Sequence, residues 1–131
     1  VERVRYVLRN NPGSHLAAIL WHQGESDVQN QNYQHDLDEF ITEFRNDINH
    51  PNLPFILGGM NPYWVGQSEK RKTLQNIIKE TPNRLSKTGY ADPNLPIIIN
   101  KDSNEVNAIH YNAAGLRELG ARYFLCYPEL H

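Results

Sequence analysis

Three short runs of uninterrupted apolar residues constrain this chain more than any other feature. They are Leu16-Ala17-Ala18-Ile19-Leu20-Trp21, Leu53-Pro54-Phe55-Ile56-Leu57 and Leu95-Pro96-Ile97-Ile98-Ile99. A strand with one wet face alternates apolar and polar side chains, whereas a strand covered on both faces does not. Each run is short and lacks alternation, so each is expected to be a buried strand of a parallel sheet. Pro54 and Pro96 stand second in their runs, where a missing N–H is tolerated.

Helical patterns lie around these runs. Val1, Val4 and Leu8 share one face of a first helix, which Asn11-Pro12-Gly13 ends. Tyr33, Leu37, Phe40, Ile41, Phe44 and Ile48 recur at helical spacing, which predicts a helix over 32–49. A third helix is expected from Ser68 as N-cap, with Leu74, Ile77 and Ile78 inward. A last helix over 113–123 has Asn112 as its N-cap. Its expected inner stripe is Leu116, Leu119, Gly120 and Tyr123, with Gly120 allowing close packing on the sheet. Helices alternating with strands imply βαβ units in a single α/β domain.

Composition removes other classes. Thirteen basic against fifteen acidic residues give a net charge of −2, and no basic face marks a nucleic-acid footprint. The apolar runs are too short to span a membrane. Cys126 is the only cysteine, so no internal disulfide or thiolate metal cage forms. The chain opens with Val1, carries Met60 as its only methionine and shows no signal-peptide pattern at its start. Further residues are therefore expected upstream of Val1.

In parallel sheets ligands gather at the carboxyl ends of the strands. The first run ends in Trp21-His22-Gln23-Gly24-Glu25-Ser26-Asp27, where Gly24 permits a sharp turn or a close approach. The second cluster, Asn107-Ala108-Ile109-His110-Tyr111-Asn112, leads into the last helix. Its His110 is either a base held at the rim of the sheet or a surface histidine near a helix cap. Tyr63 and Trp64 follow the second run and read equally as a sugar-stacking wall or a core plug. His22, Glu25 and Asp27, with His15 one strand away, are the candidates for a metal set, but they lack metal-ligand spacing and no metal or cofactor is expected. His35, His50 and His131 read as solvent residues.

Residues 21–27 resemble the third conserved block of the SGNH hydrolases, in the form used by the acetylxylan esterase and sialate O-acetylesterase branch. Ile109-His110-Tyr111-Asn112-Ala113-Ala114-Gly115-Leu116-Arg117-Glu118-Leu119-Gly120 resembles that family's final block. Leu53-Pro54-Phe55-Ile56-Leu57-Gly58-Gly59 matches the strand between them. The resemblance implies a three-layer α/β/α, flavodoxin-like fold, with about three of the family's five strands in this chain. It implies a carbohydrate O-acetylesterase acting on an acetylated sugar without metal or organic cofactor. His110 is then the base, Gln23 the oxyanion donor, and Gly24 and Glu25 shape the substrate loop.

Two positions depart from the family pattern. The nucleophile-bearing turn, Gly-Asp-Ser or Gly-Gln-Ser, is absent, so an upstream segment or a second chain is expected to complete the sheet and supply the serine. A remnant sheet would otherwise expose an edge. Asn107 stands three residues before His110, where the family has aspartate. Asn orients a histidine but supplies no charge; Asp102 or Glu105 is a possible substitute. The alternative is a non-catalytic carbohydrate-binding or interaction module. Within the chain, Ser26 is a weak alternative nucleophile in a half-formed Gly-x-Ser-x-Gly turn, with Asp92 or Asp102 completing the order. Ser14 precedes a strand rather than following one and is set aside.

Overall fold

A computed structural model describes residues 1–99 and 109–130. Its elements, in chain order, are α1 (Glu2–Asn10), β1 (Ile19–Trp21), α2 (Tyr33–Asp47), β2 (Phe55–Gly58), α3 (Pro62–Gly66), α4 (Glu69–Lys79), α5 (Thr81–Arg84), β3 (Thr88–Ala91) and α6 (Ala113–Cys126). A single 3-10 turn at Pro128–Leu130 follows α6. No helix among the described residues is long and apolar enough to cross a membrane.

The strands form one parallel sheet in the order β1-β2-β3. Ile19 pairs with Phe55 and Trp21 with Leu57. Phe55 pairs with Thr88 and Gly58 with Ala91. Every residue of β2 is buried, as a strand covered on both faces requires. Phe55 and Leu57 point into a core with Tyr33, Leu37 and Ile41 of α2 and Leu74 and Ile78 of α4. Ile56 points the other way, into a core with Ala91, Tyr111, and Leu119 and Tyr123 of α6. The result is the expected three-layer α/β/α, flavodoxin-like arrangement.

The third strand lies earlier than its apolar run suggested. It is Thr88-Gly89-Tyr90-Ala91, and 95–99 forms a loop beyond it in which Leu95 and Ile97 are 63% and 69% exposed. Only Ile99 of that run is buried, and its N–H bonds to Pro93 O at 2.9 Å. The true strand carries no apolar run because α6 and the final turn press closely on it. A side chain at Gly89 would meet Cys126 Cβ at 3.3 Å and Leu130 Cδ1 at 3.2 Å. On the opposite face the Tyr90 hydroxyl accepts from Gln75 Nε2 at 2.6 Å.

Two helix expectations also change. Leu116 is 58% exposed and Gly120 has open space where a Cβ would project, so the buried stripe of α6 is Gly115, Leu119, Arg122 and Tyr123. Ser68 occupies the N-cap of α4 without a side-chain bond to it. The predicted first helix forms, with Val4 and Leu8 as its half-buried face. Asn112 does cap α6, accepting from Gly115 N at 2.8 Å.

Two arginines fasten the layers. Arg45 of α2 is 6% exposed and donates to Leu53 O, Ser86 O and Lys87 O at 2.9, 3.0 and 2.8 Å. These carbonyls lie at the amino ends of β2 and β3. Burial lowers the Arg45 pKa without removing its charge. Arg122 of α6 donates to Asp92 O at 2.6 Å and Ile97 O at 2.8 Å, holding the 95–99 loop against the helix.

Candidate active site

The carboxyl ends of β1 and β2 and the amino end of α6 converge on one edge of the sheet. Directly after β1, Gly24 is buried with φ +142°. A Cβ there would be strained by the backbone and would crowd Ile78 Cδ1 at 3.1 Å and Met60 Sδ at 3.3 Å. The chain then turns, with Asp27 N donating to Gly24 O at 2.9 Å. Gln23 and Glu25 flank Gly24 on this turn. Ser26, in the same turn, is exposed.

Gln23 is held at both ends of its carboxamide. Its Nε2 donates to Asp27 Oδ2, and its Oε1 accepts from the Tyr33 hydroxyl at 3.0 Å. Burial, with the nearby charges of Asp27 and Glu25, raises the Tyr33 pKa, so the phenol keeps its proton.

Glu25 meets His22 with Oε1 3.1 Å from Nε2. Its side chain is 16% exposed. Burial alone would raise its pKa; the hydrogen bond from His22, its own main-chain N–H, and the charges of His22 and His110 outweigh burial and lower it. Glu25 is therefore an ionised carboxylate in the field of two histidines.

His110 itself is exposed, on the loop that enters α6. Its main chain is fixed from below: fully buried Asn61, just past β2, donates from Nδ2 to His110 O at 3.1 Å. The Asn61 Oδ1 meanwhile accepts from Tyr63 N at 3.0 Å and starts α3. The next residue, Tyr111, donates its hydroxyl to Gly59 O at 2.7 Å and packs edge-on to the His22 ring at 5.9 Å. Tyr123 donates to Trp21 O at 2.6 Å, and the absence of a side chain at Gly58 makes room for it. The rim is thus tied to both core layers while its polar heads remain reachable from solvent.

Of the five residues expected at the site, four are described: Gln23, Gly24 and Glu25 lie on the turn after β1, and His110, on the loop into α6, is near enough for its charge to act on Glu25. Asn107, the other, lies outside the described residues, as do Asp102 and Glu105. Among the described residues no three metal-ligating side chains converge, His15, His22 and Asp27 included. Trp64 is a core plug: it is 7% exposed, with the Arg71 guanidinium 4.2 Å from its ring centroid. Asn61, Tyr33 and Tyr111 were missed from sequence. Asn61 had a signal, because it is the first polar residue after β2, the same position rule that found Gln23. Tyr33 and Tyr111 had none, since each reads as an ordinary apolar helix or loop position.

The chain is similar to known proteins. The profile of the family named SASA, described as carbohydrate esterase, sialic acid-specific acetylesterase, matches residues 1–128. A probable carbohydrate esterase of Arabidopsis thaliana is 42% identical over 48 residues, which cover 34% of this chain and 18% of that protein. The matched stretch therefore spans less than a fifth of that relative's length.

Proposed function

The chain belongs to the SASA family of carbohydrate esterases, and from that premise we propose that it is the base-and-oxyanion part of a serine acetylesterase acting on O-acetylated sugars, within the SGNH group. The observation that carries the reading is Glu25, bonded to His22 at 3.1 Å and kept ionised in part by the charge of His110, on the same edge of the sheet as Gln23. In this mechanism a serine hydroxyl from outside this chain attacks the acetyl carbonyl. His110 takes its proton as the C–O bond forms. Gln23 donates a carboxamide N–H to the oxygen as it gains negative charge, where a preformed donor acts most strongly. His110 then returns the proton to the departing sugar oxygen, leaving an acetyl-enzyme. A water attacks that ester by the same proton route, releasing acetate.

Asn107 supplies no charge to the histidine, and Glu25 is the carboxylate in whose field His110 stands.

The nucleophile is proposed to arrive with a further strand beside β1, from an upstream segment or a second chain. Two features support this. Leu20, in the middle of β1, is 62% exposed while its register partner Ile56 is fully buried. Trp21 Nε1 is buried with no acceptor among the described residues, a state that costs roughly 1–3 kcal/mol.

Two measurements on the intact protein test the reading. Labelling with a fluorophosphonate and mapping by mass spectrometry is expected to modify a serine outside residues 1–131; a label on Ser26 would make this chain its own nucleophile. The Asn107→Asp variant is expected to release acetate faster from an acetylated sugar. The rival reading, a sugar-binding module on a degenerate esterase fold, rests on Asn107. Sugar binding with no acetate release from either form would establish that rival.

A further inference from the structure

We propose that Asp27 and Tyr33 are positioning residues that set the sense of the Gln23 carboxamide, an inference that rests on the oxyanion-donor reading above. The two ends of a carboxamide have nearly the same shape. Turned one way, Gln23 offers N–H to a developing oxyanion; turned the other way, it offers a carbonyl oxygen that repels it. The terminal torsion of glutamine is broad and two-fold, so its own rotamer preference does not decide between them.

The neighbours decide it. An ionised carboxylate only accepts, and Asp27 Oδ2 meets Gln23 Nε2. A phenol that keeps its proton has a hydrogen to give, and Tyr33 gives it to Gln23 Oε1 at 3.0 Å, with Gln23 main-chain O also near at 3.3 Å. Flipping the amide would place oxygen against carboxylate and lose the Asp27 bond, and it would force the Tyr33 hydroxyl to turn its hydrogen away and accept instead. One Nε2 hydrogen is taken by Asp27, and the second is left for the substrate.

The parts that hold this arrangement are themselves fixed. Tyr33 is 4% exposed and opens α2, so its ring is set by the core. Asp27 is fixed by its own N–H to Gly24 O at 2.9 Å. The first residue of a core helix is thereby coupled to the reacting rim.

The test uses Tyr33→Phe and Asp27→Asn, both near-isosteric, in the intact protein with 4-nitrophenyl acetate as substrate. Each is expected to lower kcat about tenfold to a hundredfold and to leave KM within about twofold, because a misplaced donor weakens the transition state more than binding. In a Gln23→Ala background each is expected to change kcat by less than about twofold, since there is no carboxamide left to orient. Equal losses in both backgrounds would show a merely structural role and overturn the proposal. Full activity of both variants, with Gln23→Ala slow, would overturn it while leaving Gln23 as the donor. An unchanged rate in Gln23→Ala would remove the oxyanion reading, and this inference with it.

Discussion

The two ends of the sheet are built from the same materials and left in opposite states. At the amino end, Arg45 is almost wholly buried and spends its donors on three main-chain carbonyls. At the carboxyl end, Asn61, Tyr111 and Tyr123 likewise bond from buried side chains to main-chain carbonyls. There, however, the anchored segments carry the polar heads of His110 and Glu25 at the rim. One end closes the fold and the other holds a reactive edge. A buried polar side chain bonded only to backbone fastens structure, whereas a reachable polar side chain whose backbone is fastened from below is placed for chemistry.

That contrast is breakable by substitution. The largest expected effect is on activity: His110→Ala in the intact protein is expected to lower kcat/KM for ester hydrolysis about 10⁴-fold, the upper range for loss of a general base. Its effect on stability should stay within about 0.5 kcal/mol, because the side chain is exposed; thermal and urea unfolding check this. Arg45→Met should behave in the reverse sense. It keeps much of the side-chain stem and strands three carbonyls, which should lower stability by about 3 kcal/mol, while the rate per folded molecule is unchanged. If Arg45→Met slows catalysis at full folding, the two ends are not separate.

A smaller loss is expected for Tyr111→Phe. It removes one hydrogen bond, to Gly59 O, and should cost about 1 kcal/mol in urea unfolding, with a modest fall in rate as the His110 loop loosens. The smallest effect is a pH dependence. The folded pKa of Glu25 lies below its ordinary value of 4.5. Its contribution to stability is therefore present above that ordinary value and lost as pH falls through the lowered folded pKa. Glu25→Gln should flatten this part of the acid limb; an unaltered limb would show that His22 and His110 do not hold its charge.

Much of this was legible in the sequence, for stated physical reasons. β2 sits inside its apolar run because it is buried on both faces; β1 also lies inside its run, but it is not the buried strand expected there, since Ile19 and Trp21 are half-buried and Leu20 is exposed. The rim residues were found because polar groups directly after such strands lie at the sheet's carboxyl edge. β3 was misplaced because a strand pressed by a helix on one face selects glycine, and one bonded through a hydroxyl on the other selects tyrosine, so no apolar run marks it. The α6 stripe was misread because Leu116 and Gly120 fit the period as well as Gly115 and Arg122 do. Arg122 is buried only because Asp92 O and Ile97 O receive it, and no local pattern records that distant pairing. The hold on Gln23 was likewise hidden, since its partner Tyr33 lies ten residues on and reads as core.

The measurement that bears most directly on the central claim is acetate release from an O-acetylated sugar by the intact protein, run beside His110→Ala. The account predicts steady release by the unaltered protein and a loss of about 10⁴-fold in the variant, with both equally folded. Equal release by the two proteins would contradict it and remove His110 from the chemistry.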